Sequence, residues 1–158
     1  MSEKIYPSIN ILTISDTRDL TTDLSGQTIE KMVKSDHLVV KNRVIVKDEL
    51  NEIRSAYEKL ADSDILITNG GTGIAKRDVT WEAMEMFAIT EIPGFGEFFR
   101  QLSYQEIGTH AMASRAFAFF DQKNQLIFCL PGSTNACELA VSKLILPEIY
   151  HLIKERKK

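Results

Sequence analysis

Only two cysteines, Cys129 and Cys137, occur in 158 residues. Neither has a histidine nearby and they form no Cys-x-x-Cys pair, which argues against zinc and against redox exchange. Reduced, buried thiols are the expectation. His37, His110 and His151 are the only histidines, scattered too widely to form a ligand set. No sign of charge is in excess: 19 Lys+Arg against 22 Asp+Glu leave a net −3, so a sequence-independent grip on nucleic acid is not expected. The one basic cluster, Lys154-Glu155-Arg156-Lys157-Lys158, reads as a solvated helix end. No apolar run is long enough to span a bilayer, and Met1-Ser2-Glu3-Lys4 lacks the apolar stretch of a signal peptide. A cytoplasmic protein without membrane or nucleic-acid partners is therefore expected. Repeats, low-complexity tracts and linkers are also missing, which predicts one domain over residues 1–158 with its core at about 8–153.

What the chain has is an alternation of apolar runs and helical spacings. Residues 9–14 form a short apolar run, as in a strand buried on both faces. Ile29, Met32 and Val33 recur at helical spacing behind Asp23, Ser25 and Gly26. Residues 38–46 are β-branched, and Leu50, Ile53, Tyr57 and Leu60 mark one face of a second helix with Asp48 near its start. A strand at 65–68 follows, then helix-like segments at 81–87 and 95–102. Phe95, Phe98, Phe99 and Leu102 read as one packing face. Residues 115–120 and 125–130 read as two strands joined by a polar turn, and a helix from about 135 is expected to kink or break at Pro147. Repeated βα units predict an α/β fold: a mostly parallel sheet with helices on both faces and one antiparallel strand.

Residues 65–80 carry the strongest chemical signal. A buried strand there empties into Asn69-Gly70-Gly71-Thr72-Gly73, with Lys76, Arg77 and Asp78 just downstream. Such a turn places backbone N–H groups at the carboxyl edge of a sheet, where phosphorylated ligands bind in open α/β folds. It is no Walker loop, because no Gly-Lys-Ser/Thr follows, and Lys76 stands where a dinucleotide fingerprint needs its third glycine. Ser15-Asp16-Thr17 and Pro131-Gly132-Ser133 close two other strands, and a parallel sheet would bring all three turns to one crevice.

Single residues are weaker evidence than this convergence. Asp78 suits a magnesium bridging phosphate oxygens, or a solvated loop. Asp48 suits the site or a helix N-cap, and Asp16 and Asp23 have turn and cap readings of their own. Arg115, after Ser114, could meet phosphate with its planar fork or form a surface ion pair. Trp81 is assigned no chemistry.

Taken together, the ordered motifs resemble the MoaB/MogA family of molybdenum-cofactor biosynthesis proteins over residues 9–153. The likeness rests on Ile14-Ser15-Asp16, TNGGTG at 68–73, RDVT at 77–80, PGFGE at 93–97, Gln101-Leu102-Ser103, Ser114-Arg115 and PGSTNA at 131–136. LSYQEIGT at 102–109 and LPGSTNAC at 130–137 look closer to the MoaB branch. The resemblance implies a three-layer α/β/α molybdopterin-binding fold, a homotrimer or homohexamer, and contacts with other cofactor-biosynthesis proteins. It also implies an adenylyltransferase that uses Mg2+, ATP and molybdopterin and releases pyrophosphate; the alternative is a non-catalytic molybdopterin carrier of the same pathway. Asp48 and Asp78 match the family's key acidic positions, with Asp78 helping to hold magnesium. Gly70, Gly71, Thr72 and Gly73 would cradle phosphate, Ser15, Asp16 and Asp23 would line the crevice, and Ser103, Ser114 and Arg115 would meet pterin or nucleotide. Pro131, Gly132 and Ser133 would complete the wall. The family usually has proline after RDVT; here it is Trp81, which should leave the helix intact but whose bulky indole could narrow the mouth of the site.

Overall fold

A computed structural model describes residues 6–158, so the polar Met1-Ser2-Glu3-Lys4 segment lies outside the described residues. Six strands form one sheet in the order β2-β1-β3-β6-β5-β4. They are β1 (Ser8–Ile14), β2 (Val39–Val46), β3 (Ile65–Asn69), β4 (Thr90–Glu91), β5 (Phe117–Phe120) and β6 (Leu126–Leu130). β2, β1, β3 and β6 run parallel, while β5 runs against both of its neighbours. The single antiparallel strand is thus β5, joined to β6 by a turn in which Asn124 takes a positive φ of 62°. The two-residue β4 extends the sheet beyond the strands the apolar pattern marks, because so short an edge strand has no periodicity to detect.

Both faces of the sheet are covered, which is why the central strands lack polar alternation. Helices α1 (Leu24–Ser35), α4 (Pro93–Ile107), α5 (Thr134–Ala140) and α6 (Leu146–Arg156) pack on one face, where Ile29, Val33, Phe99 and Ile149 meet Ile9, Ile11, Ile67 and Phe128. Helices α2 (Leu50–Lys59) and α3 (Thr80–Met84) cover the other, with Ile53, Tyr57 and Met84 against Leu12, Leu66 and Ile127. On α4, Phe95 and Phe99 join the core, but Phe98 points outward at 58% exposure. The expected four-residue packing face is therefore narrower, since positions 98 and 99 lie about 100° apart around a helix.

Pro147 does not break the C-terminal helix. Five residues of π-helix, Val141–Ile145, link α5 to α6, and Pro147 falls in the first turn of α6. Widening the turn just before the proline relieves the clash between its ring and the preceding carbonyls. Cys129 and Cys137 are buried in separate clusters on opposite faces of the sheet and are both free. Burial pushes each thiol up to about 12, so neither is a nucleophile near neutral pH.

Candidate functional site

Parallel pairing sets where the site lies. Thr13 is opposite Asn69, and Asn69 is opposite Leu130, so β1, β3 and β6 end level and their following turns emerge side by side. The chain leaves β1 toward β2 on one side and continues from β3 toward β6 on the other. The carboxyl ends of β1 and β3 therefore flank the point where strand order reverses, the usual ligand crevice of such sheets. A cleft of about 380 Å³ opens there. One wall is Ile14 to Arg18, a second is Gly70 to Gly73 with Arg77 and Asp78, and Pro131 and Gly132 form the third; Asp48 enters from the turn after β2.

The glycine turn is shaped by crowding below it as well as by access above. Gly70 has φ of 102°, and a Cβ there would sit 2.1 Å from the Ile14 carbonyl oxygen. Gly71 has φ of 72°, and its Cβ would meet the Thr80 hydroxyl at 2.4 Å and Asp48 Oδ1 at 3.2 Å. A Cβ at Gly73 would lie 2.7 Å from Asp78 Oδ2. The two carboxylates thus lie directly against Gly71 and Gly73. Thr80 fixes the turn, its hydroxyl donating to the Gly70 carbonyl at 2.8 Å and its N–H to that of Gly71 at 3.1 Å.

Each acidic residue has a different environment. Asp48 does not cap α2, whose N-cap is Glu49 with no side-chain bond. Its own N–H donates to Asp16 Oδ1 at 2.9 Å, tying the first and second βα turns together. Partial burial, then the nearby charges of Asp16 and Asp78, hold the Asp48 carboxyl above the usual range, with Arg77 opposing them. Asp78 Oδ2 accepts the Ala75 N–H at 3.0 Å, closing the 75–78 turn. Ser15 accepts the N–H groups of Thr17 and Arg18, both at 3.2 Å, which turns the first loop over the crevice.

Several expected site residues lie elsewhere. Asp23 is fully buried beneath the first wall and is not in the lining. It caps α1 through the Gly26 N–H at 3.0 Å, accepts from Thr13 at 2.7 Å and pairs with Arg43 at 3.0 Å. Ser103 is buried on α4, and Ser114 takes the Ala116 N–H at 3.4 Å; neither lines the cleft. Ser133 caps α5 by accepting the Ala136 N–H at 3.2 Å, while its neighbours Pro131 and Gly132 do line the cleft. Arg115 is bound to the second wall's backbone rather than lining it. Trp81 stacks edge-on against Phe117 at 4.8 Å and lines a different hollow, so its indole does not narrow the cleft mouth.

One arginine of the lining escapes the motif reading and another falls within it. Arg18 donates to the Gly132 carbonyl at 3.0 Å and to Ser25 at 3.2 Å, bridging the first and third walls. Arg77 lines the cleft and, among the described residues, makes no ion pair or hydrogen bond. The only advance signal for Arg18 is its place next to the Ser15-Asp16-Thr17 turn, whereas Arg77 stands in the RDVT motif at 77–80.

Fold and cleft together define an α/β domain with a polar cleft at its sheet's carboxyl edge. Residues 10–151 match the family model described as a probable molybdopterin binding domain. A molybdenum cofactor biosynthesis protein B from Staphylococcus aureus is 49% identical over 153 residues, 94% of this chain and 90% of that protein. A solved structure of a protein of the same name has 44% identity and TM-score 0.91, covering 98% of both chains. The tungsten cofactor synthesizing protein MoaB from Pyrococcus furiosus has 30% identity and TM-score 0.89, covering 99% of this chain and 100% of its own. The chain belongs to the MoaB/MogA family of molybdenum-cofactor biosynthesis proteins.

Proposed function

We propose that the cleft transfers the adenylyl group of Mg-ATP to the terminal phosphate of molybdopterin, giving adenylyl-molybdopterin and pyrophosphate. The observation that supports this most is the seating of Asp48 and Asp78 against the glycine turn, at the switch point of the sheet. In this reading a molybdopterin phosphate oxygen attacks the α-phosphorus of ATP. The new P–O bond forms as the bond to the β-phosphate oxygen breaks, and the electron pair leaves with pyrophosphate. A phosphate monoester is already a competent nucleophile, so charge neutralisation and alignment are what the protein must supply.

The residues present fit a magnesium ion. Among the described residues no three His, Cys, Asp or Glu side chains converge to hold a metal unaided. Mg2+ uses one or two carboxylates and takes its remaining oxygens from water and substrate phosphates. Asp78 and Asp48 would hold it, and a cation would relieve the carboxylate repulsion that, after burial, helps raise Asp48. When bound, the metal offsets the negative charge on the phosphates. Gly71 and Gly73 lie in the lining with the two carboxylates against them, Arg77 makes no ion pair or hydrogen bond among the described residues and would be free to meet phosphate, and Arg18 holds the opposite wall.

The test is incubation of the protein with Mg-ATP and freshly released molybdopterin, following adenylyl-molybdopterin and pyrophosphate by mass spectrometry. Asp48→Asn with Asp78→Asn keeps both side-chain shapes and should slow product formation by about a hundred-fold or more. Undiminished turnover removes both residues from the mechanism, and pterin binding without product in the unaltered protein favours the carrier. We also propose self-association into a homotrimer or homohexamer. It is supported by Phe98, Tyr104, Ile107 and Met112, which expose large apolar side chains on α4 and the turn after it.

A further inference from the structure

We propose that Arg115 is a positioning residue: a latch that grips both ends of the 73–78 loop and thereby sets where Asp78 stands. This rests on the reading that Asp78 works in the cleft. Its planar fork is suited to phosphate, but here it is engaged by the protein itself. Nε donates to the Gly73 carbonyl at 2.8 Å, and one terminal nitrogen donates to the Asp78 carbonyl at 3.0 Å. The other terminal nitrogen donates to the Glu82 carboxylate at 2.6 Å, and the nitrogen on the Asp78 carbonyl also reaches that carboxylate at 3.4 Å. The Arg115 backbone N–H adds a bond to the Thr72 carbonyl at 2.7 Å. Nearly all the donors of the guanidinium are consumed.

The carbonyls it grips bracket a segment that has little else to hold it. Residues 74–77 are exposed, and among the described residues Lys76 and Arg77 make no hydrogen bond or ion pair. Within the loop, only the Asp78–Ala75 bonds at 2.9 and 3.0 Å close the turn. Glu82 orients the guanidinium from α3, and α3 is itself braced by Arg54, which donates to the Ala83 and Glu82 carbonyls at 3.1 and 3.2 Å. The path from Arg54 through α3 and Glu82 to Arg115 fixes the loop without any of these side chains lining the cleft. A displacement near 1 Å in a catalytic group costs on the order of a hundred-fold in rate, so such bracing matters to turnover.

A latch and a phosphate ligand respond oppositely to two substitutions. Arg115→Lys keeps the charge that a phosphate would need but cannot bridge two carbonyls and a carboxylate. Glu82→Ala frees a ligand arginine from a competing partner, yet slackens a latch. The side chain of Glu82 is 45% exposed, so its removal leaves the core intact. The experiment measures tryptic cleavage after Lys76 or Arg77 in the ligand-free protein, together with ATP affinity in the presence of magnesium. A latch predicts cleavage about ten-fold faster in both R115K and E82A, and ATP binding weakened in both, because the loop spends more time open. Cleavage at the unaltered rate in either variant, or tighter ATP binding in E82A, overturns the latch. Proteolysis of the ligand-free protein needs no substrate, so it decides the matter even if the unaltered protein makes no adenylyl-molybdopterin.

Discussion

Asp48 and Asp78 face one cleft with different attachments, and this governs how each is to be replaced. Asp78 accepts a backbone N–H at 3.0 Å, so alanine would open the turn while asparagine keeps an acceptor there. At Asp48 burial, then the charges of Asp16 and Asp78, raise the carboxyl against the opposing pull of Arg77 and the Asp16 backbone N–H. A raised folded-state value means that stability is lost as pH climbs through it. Below the unfolded value of about 3.9 both forms are protonated and the effect vanishes. Asp48→Asn should therefore make the ligand-free protein more stable at neutral pH, by less than about 1 kcal/mol once solvent screening is counted. The gain should fade as pH drops toward 4. Denaturant midpoints at neutral and acid pH check this, and a variant less stable at neutral pH contradicts the repulsion. At this scale the sequence was an incomplete guide. Turn residues such as Asp16 and Gly71 could be placed by motif, and the cap reading of Asp23 holds. The Asp23–Arg43 ion pair and the grip of Arg115 on Gly73 could not, because those partners lie 20 and more residues away.

The elements were more legible than their side chains. Central strands dominated by apolar residues and helices with spaced apolar faces both leave a pattern that survives without coordinates. β4 left none, being two residues long, and Pro147 marked an irregular helix without showing that it would take the form of a π-helical turn. The cysteines illustrate an element-level prediction. β6 carries Cys129 to one face of the sheet and α5 carries Cys137 to the other, each sealed by its layer of helices. Native protein should resist alkylation at pH 7 and react at both thiols only after denaturation. Replacing both with alanine should leave turnover intact while lowering stability by roughly 1–3 kcal/mol, as expected for small cavities in a core. Rapid modification of either thiol in the native state would show that its helical layer opens.

For the whole molecule, the relevant surface is the one the monomer leaves bare. Met112 is 83% exposed and Ile107 54%, values unusual for large apolar residues so near a core helix. If they meet another copy, Ile107→Asp combined with Met112→Asp should shift sedimentation from the oligomer to the monomer. Both positions are exposed, so the variant should keep its fold. An unchanged sedimentation coefficient in the variant would place the subunit contact elsewhere. The arrangement of strands was readable as a class but not as an order, because the apolar pattern does not say which strand neighbours which.

That order has a consequence for how the protein is made. β1 lies between β2 and β3, and β6 is added beside β3 only later in the chain. A nascent chain emerging N-terminus first can pair the four parallel strands by adding each new one beside strands already present, after β1 and β2 have met. The cleft walls appear in the same sequence: residues 14–18 first, then 70–78, and finally Pro131 and Gly132. Until β6 has paired with β3 and brought Gly132 alongside, Arg18 lacks the carbonyl it donates to. The third wall is therefore the piece that completes the cleft.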